Sequence, residues 1–454
     1  MPNMDSNISK ILLAIGCALP VYFIAVIWLV SAQAITLALI CLLVILWSNN
    51  GLPLGVVSLL PILLFPMFGL LPTNDVTSNY SNSIIFLFIG GFLLAIAVEK
   101  TELHKVIANK ILDFFPNTIT GMIYALALTA GSLSAFLSNT TSCLLLIPLA
   151  LFLSDDDALK KRFALAICYG ASIGGIITPI GTPPNLILYG LLDQLDLPSI
   201  PFIQWVLLVL PLALILFLFL GWILSWGTKN KQIIKQPSQL STKLSTAQKK
   251  VTGILVMLIL LLFINSPIQP YYGGLGLNEK GILLCAGLVL FLPPINILNW
   301  SDSKKIPFEI LFLFGAGFSI AHVFTSSGLA VELATFLQNF SQLPIPLLIL
   351  LIAALVTFST EITSNTALIS MILPVIYALG EQNGLDTRLL MMVATVCASY
   401  AFMLPIATPP NAIAMSCAAV EVKSMIRYGF LLNLFSILMV FAIASTYWDY
   451  FLNF

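Results

Sequence analysis

The sequence predicts an all-α integral membrane protein: about 11 transmembrane helices plus two re-entrant hairpins, in two inverted repeats. Three observations carry that reading. Of the 454 residues, 59% are hydrophobic and 8% charged, against about 25% charged in an ordinary soluble domain. Apolar runs of roughly 20 residues, such as 11–30 ("ILLAIGCALPVYFIAVIWLV") and the stretch from 251 ("VTGILVMLILLLF"), can cross a hydrocarbon core about 30 Å thick. A polar cluster, Ser138-Asn139-Thr140, recurs in equally apolar surroundings as Ser364-Asn365-Thr366.

The elements follow in order. The first apolar run has full spanning length and no small-residue cleavage site behind it, so it reads as a span, and the N-terminus is expected to be retained. In segment 99–115 ("EKTELHKVIANKILDFF") Leu103, Val106, Ile107, Ile111 and Phe114 share one side and charges the other, which predicts an interfacial amphipathic helix. Segment 325–341 is its partner. The stretch 227–250 carries six lysines and no acid, which the positive-inside rule assigns to the cytoplasm. Alternating the spans from there puts Lys10, 100–110, 160–162, Lys304, Lys305, Lys423 and Arg427 on the same side. Only Lys280 and Arg388 of the 19 basic residues fall outside. That consistency requires segments 118–154 and 343–380 to enter and leave on one face, as hairpins.

Each hairpin holds a Ser-Asn-Thr cluster at its middle, and the two copies lie 226 residues apart (364 minus 138). The same offset relates Pro148 to Pro374, "PIGTPPN" at 179–185 to "PIATPPN" at 405–411, and "FIGGF" at 88–92 to "FGAGF" at 314–318. The chain is an internal duplication. About five crossings separate equivalent points, and an odd number inverts the second copy; inverted repeats with broken helices are the sequence pointer to a secondary transporter.

The breaks have chemistry. Pro183 and Pro184 remove the N–H partners of carbonyls near Pro179 and Ile180, and the residue before a proline leaves helical geometry, so Gly181-Thr182 unwinds. Thr182 and Thr408 are expected to cap the helices that resume there, with proline in the first turn. Freed carbonyls and hydroxyls are hard oxygen ligands for a monovalent cation such as Na⁺. Helix N-termini near the Ser-Asn-Thr tips and after the breaks offer N–H groups to an anion. No Lys or Arg lies within these motifs. An anion there must be balanced by bound cations, which points to coupled transport.

Other chemistries find little material. The cysteines (17, 41, 143, 168, 285, 397, 417) lie in apolar runs without paired or metal-type spacing, which predicts buried, unreactive thiols. Two histidines, His104 and His322, are too few for a multi-histidine metal site, and His322 reads as a helix-packing residue. Zero net charge gives no ground for a nucleic-acid partner. A membrane enzyme would need acids, bases or ligands gathered at one face, and Glu361, the one acid beside a cluster, stands alone. It is expected to cap or pair locally, or to raise cation affinity at the second site.

Taken together, the paired Ser-Asn-Thr hairpins, the TPPN breaks and the linking "FIGGF" and "FGAGF" helices resemble the divalent anion/sodium symporter family, the INDY-type di- and tricarboxylate and sulfate transporters. The resemblance covers nearly the whole chain. It implies a homodimer in the cytoplasmic membrane, N-terminus inside and C-terminus outside, with a fixed scaffold and a transport domain moving as an elevator. The implied scaffold is 1–115 and 250–341, the transport domain 116–226 and 342–454, and the linker 227–249. Carried over by motif, at least two Na⁺ ions bind: the first at Ser134, Ser138, Asn139 and the Gly181 backbone, the second at Thr360, Ser364, Asn365 and the Ala407 backbone. Substrate carboxylates meet Asn139, Thr140, Thr182, Ser364, Asn365, Thr366 and Thr408. Positions 134 and 360 also fit by spacing, as hydroxyls four residues before each cluster's serine. Succinate, malate, fumarate, citrate and sulfate all remain open, with C4-dicarboxylates favoured because the soluble domains of larger sulfate-type relatives are missing. A sodium-independent exchanger of the same architecture would be expected to carry a basic side chain at the motifs.

Overall fold

Lipid offers no hydrogen bonds to a backbone, so a chain this apolar must satisfy its N–H and C=O groups within its own helices. The computed structural model describes residues 4–49, 51–228, 244–267, 272–336, 344–418 and 420–452, and no β-strand occurs among them. The helices are α1 (Met4–Trp28), α2 (Ser31–Asn49), α3 (Leu54–Met67), α4 (Thr73–Asn79), α5 (Ser83–Lys100), α6 (Leu103–Phe114), α7 (Ile119–Ser134), α8 (Asn139–Phe152), α9 (Asp157–Gly175), α10 (Pro183–Gln194) and α11 (Phe202–Ser225). After the linker come α12 (Thr246–Asn265), α13 (Glu279–Val289), α14 (Phe308–Ser326), α15 (Leu329–Phe336), α16 (Ile345–Ser359), α17 (Asn365–Asn383), α18 (Thr387–Cys397), α19 (Pro409–Ala418), α20 (Val422–Ile443) and α21 (Asp449–Leu452).

Among the described residues, seven helical stretches are long and apolar enough to cross a membrane: Asn7–Trp28, Ser31–Asn49, Thr73–Lys100, Phe202–Ser225, Thr246–Asn265, Phe308–Ser326 and Val422–Trp448. The protein is an all-α, multi-pass membrane protein. The arms that lead into the polar clusters are different. With 16 and 15 residues, α7 and α16 reach only about 24 and 22 Å at 1.5 Å per residue, short of a core about 30 Å thick. Each is followed by a short turn and a second helix, α8 or α17, that begins at the cluster's asparagine.

The chain forms two compact units. One comprises Met1–Ile85, Leu186–Ser199 and Pro307–Ala398; the other comprises Phe86–Asn185, Ile200–Ile306 and Ser399–Phe454. In the first, α14 packs on α3 and α17, and α18 packs against α16 and α17. Its core includes Leu43, Val57, Phe65, Phe324 and Leu329. In the second, α7 lies backbone to backbone on α9: a Cβ at Gly174 would stand 2.2 Å from the Gly131 Cα. Small residues allow that approach, the usual device for joining helices where lipid supplies no hydrophobic drive. Against α8 and α9 packs α19.

The second unit has two distinguishable ends. At one, the Phe202 N–H donates to Glu279 Oε2 (2.8 Å) and Asn265 Nδ2 to the Leu277 carbonyl (2.9 Å). At the other, Lys100 meets Asp302 (2.7 Å), Lys305 meets Glu99 (3.0 Å), and Gln248 Nε2 donates to the Thr101 carbonyl (2.9 Å). Arg162 donates to the carbonyls of Leu224 and Trp226 (2.6 and 2.7 Å) at the C-terminal end of α11, and Lys161 pairs with Glu421 (2.6 Å).

Two expectations need correction. Segment 99–115 is not one helix: α5 runs through Lys100, the chain turns at Glu102 (φ 55°), and α6 begins at Leu103. Within α6, Leu103, His104, Ala108 and Leu112 are buried, Val106, Ile107 and Ile111 are half-buried and Phe114 is exposed. Its partner segment holds α15, and 337–343 lie outside the described residues, as do 229–243 of the lysine-rich linker. The cysteines are not all buried, since Cys17, Cys285 and Cys417 are exposed. They sit on helix faces turned away from the protein interior, where apolar residues are equally at home.

Candidate functional site

The hairpin tip in the second unit is built by a capped helix start. Ser138 is the N-cap of α8, its hydroxyl accepting the Thr141 N–H (3.1 Å), so α8 begins at Asn139 with its free N–H groups beside the cluster. Ser134, fully buried at the last turn of α7, donates its hydroxyl to Asn139 Oδ1 (2.5 Å). Asn139 and Thr140 are half-buried and Ser138 is exposed. The Thr178 hydroxyl donates to the Ala135 carbonyl, tying the tip to the broken helix.

That helix, α9, ends at Gly175 and resumes as α10 at Pro183, with Gly181 and Thr182 buried between them. Two glycines bring the backbone onto the tip. A Cβ at Gly175 would lie 2.7 Å from Asn139 Oδ1, and one at Gly181 would lie 2.4 Å from the Gly175 carbonyl oxygen and 3.0 Å from that of Ser134. The Ser134 hydroxyl and carbonyl, the Asn139 amide oxygen and the Gly175 carbonyl therefore converge around the glycine pair. Ser134, Asn139 and Gly181, predicted from sequence, are brought together; Gly175 was not predicted. Four oxygen atoms and no formal charge make a hard-oxygen environment suited to a small cation.

The second cluster repeats the pairing in the first unit. Thr360, fully buried, has its Oγ1 2.6 Å from Asn365 Oδ1 and 2.9 Å from the Ala398 carbonyl oxygen. One hydroxyl proton serves two acceptor oxygens there, so this hydroxyl too stands among oxygens in surplus of protons. Ser364 and Asn365 are half-buried and Thr366 is buried. Glu361, next to Thr360 in the chain, is 3% exposed. Ala407 and Thr408 belong to the second unit, where both are buried. There α19 resumes at Pro409, again with proline in the first turn. The expected cap at Thr408 is absent: its Oγ1 is buried with no hydrogen-bond partner among the described residues. Pro410 at N2 removes one of the two N–H groups a cap can bind, and Thr408 does not reach the other, at Asn411.

Sequence reading missed the asparagine of each break. Asn185, fully buried, donates its Nδ2 to the carbonyls of Thr178 (2.9 Å) and Gly175 (3.5 Å). Asn411, also fully buried, donates to those of Leu404 (3.0 Å) and Ala401 (2.8 Å). Every partner obeys the 226-residue offset.

Comparison with known proteins decides the family. A model of the citrate transporter family matches residues 41–395. The chain belongs to this family. It is similar to the sodium-dependent dicarboxylate transporter of Staphylococcus saprophyticus, 33% identical over 426 residues that span 87% of this chain and 82% of that relative. It is similar also to the protein of the same name from Staphylococcus aureus, 32% identical over 425 residues with the same coverage. As a member of a transporter family it is a transporter, not an enzyme. Two solved structures share the fold. The Alcanivorax borkumensis YdaH transporter superimposes with a TM-score of 0.59 at 15% identity, covering 83% of this chain and 87% of its own. Neisseria gonorrhoeae MtrF superimposes with a TM-score of 0.60 at 14% identity, covering 82% and 83%. Membership agrees with the divalent anion/sodium symporter resemblance drawn from the motifs.

Proposed function

We propose that the protein is a sodium-coupled symporter of C4-dicarboxylates such as succinate, malate and fumarate. One observation carries the reading: a buried hydroxyl and the first asparagine of a helix lie 2.5 Å apart in one repeat and 2.6 Å apart in the other, with no Lys or Arg in either motif. A dianion held by helix N-termini and neutral amides needs counter-charge, and cations on the paired oxygens supply it. The names of the Staphylococcus relatives, sodium-dependent dicarboxylate transporter, support both halves of the proposal.

In this reading Ser134, Ser138, Asn139 and the Gly181 carbonyl hold one Na⁺, and Thr360, Ser364, Asn365 and the Ala407 carbonyl hold another. Asn139, Thr140, Thr182, Ser364, Asn365, Thr366 and Thr408 meet the substrate carboxylates. The two copies are inverted repeats of a homodimeric elevator in the cytoplasmic membrane, with the N-terminus inside and C-terminus outside. Segments 116–226 and 342–454 move against a scaffold of 1–115 and 250–341. Uptake of labelled succinate into proteoliposomes under an inward sodium gradient, with and without internal dicarboxylate, tests the proposal. Symport requires sodium and no internal substrate; uptake that needs internal dicarboxylate and ignores sodium would make the protein an exchanger instead.

A further inference from the structure

The TPPN motif contains an asparagine for which neither the cation nor the substrate assignment has a use. Its geometry gives it one. In an α-helix the carbonyl of residue 175 bonds the N–H of residue 179, but residue 179 is proline and has none. The same holds for Ala401 and Pro405 in the second copy. Each motif thus begins by orphaning a carbonyl four residues upstream and ends, six residues later, in a side chain carrying two N–H donors. Those donors go to that carbonyl, Gly175 or Ala401, and to a second one in the break, Thr178 or Leu404.

The second bond fixes the loop that carries the proposed ion ligand. The Thr178 carbonyl also accepts the Gly181 N–H (3.3 Å), and the Leu404 carbonyl accepts the Ala407 N–H (3.2 Å). Each asparagine therefore anchors the first residue of a turn whose last residue is Gly181 or Ala407. Its own Oδ1 is buried without a hydrogen-bond partner among the described residues, in both copies. A buried acceptor left unpaired is unfavourable. That the arrangement nonetheless occurs twice shows the two donors to be what the position supplies.

We infer that Asn185 and Asn411 are positioning residues for cation binding: each replaces the backbone donor its motif's first proline lacks, and so holds the unwound carbonyls in place for the ion. This rests on the sodium-symport reading above. Neither side chain touches substrate in that reading, so the two residues should set sodium affinity and leave dicarboxylate affinity alone.

The test is sodium-dependent thermal stabilisation of the purified full-length protein in detergent, with choline keeping ionic strength constant, alongside the succinate KM at saturating sodium. Asn185→Ala and Asn411→Ala supply no donors. Each should melt within a few degrees of wild type in choline, raise the half-maximal sodium concentration about tenfold, and leave the succinate KM within about twofold. Asn185→Asp and Asn411→Asp keep the volume and, when protonated at this buried position, supply one donor; their sodium midpoints should fall between alanine and wild type. These variants carry the test if the alanine forms do not fold. Wild-type sodium midpoints in the alanine or aspartate variants would overturn the inference while leaving symport intact, as would a succinate KM that rises in parallel with the sodium midpoint. Absence of any sodium stabilisation in the wild type would overturn the symport reading and this inference with it.

Discussion

Adding one methyl group at Gly175 should weaken sodium binding. The Cβ of Gly175→Ala would stand 2.7 Å from Asn139 Oδ1, and ordinary contact begins at 3.4 Å, so the amide oxygen must retreat by about 0.7 Å. Binding constellations tolerate about 0.5 Å, and a misplacement of about 1 Å costs on the order of a hundredfold. The half-maximal sodium concentration for succinate uptake should therefore rise about tenfold to a hundredfold, about 1.4 to 2.8 kcal/mol. Gly175 closes α9 without a positive φ, so the backbone accepts alanine and the perturbation is confined to the contact with Asn139. Gly253→Ala in α12, where a Cβ meets nothing within 4 Å, is the control that should change neither sodium curve nor uptake. The second repeat carries Ala401 at the equivalent position, so the methyl group is compatible with this backbone. An unchanged sodium curve in Gly175→Ala, with Gly253→Ala also unchanged, would refute the placement of a cation beside Asn139.

Further outcomes follow from the same geometry. Asn139→Ala and Asn365→Ala should each abolish sodium-dependent uptake while the purified protein stays folded, because alanine offers neither the carbonyl oxygen nor the amide N–H of the cluster; near-normal transport by both would remove the site assignment. The hydrogen bond and charge of Lys161 hold the Glu421 carboxyl below its ordinary range. A depressed folded-state pKa contributes stability above the unfolded carboxylate value, about 4.3, that is lost as pH falls through the folded one. Glu421→Gln should accordingly melt below wild type at pH 7, and the gap should close in acid and shrink in high salt; a gap that persists at pH 3 would contradict this. Cysteines placed at Ser199 and Thr246 flank α11 and should label from opposite sides of the membrane, with residue 246 inside. Labelling of both from one side would exclude α11 as a span.

Much of this was legible in the sequence because the signals are local and doubled. The Ser-Asn-Thr clusters, the prolines and the 226-residue offset located both tips and both breaks, and α8, α10, α17 and α19 begin where those residues say. The Ser134–Asn139 and Thr360–Asn365 pairs were implied by spacing, four residues to the serine and five to the asparagine. Gly175 and Asn185 were not read, although Pro179 announces that some carbonyl upstream lacks a donor. Which side chain replaces that donor depends on how the chain folds back through the turn at 178–181, a tertiary fact with no periodicity to betray it. The break before α6 was missed for a similar reason: the turn at Glu102 takes a left-handed conformation that no glycine marks.

If the two repeated hydroxyl–asparagine pairs bind two coupled cations, the sodium-activation curve of succinate uptake should show a Hill coefficient above one in the wild type and lose its cooperativity in Ser134→Ala and in Thr360→Ala, since either substitution removes a ligand from one cation. A hyperbolic curve in the wild type, or uptake unchanged when choline replaces sodium, would contradict that coupled binding.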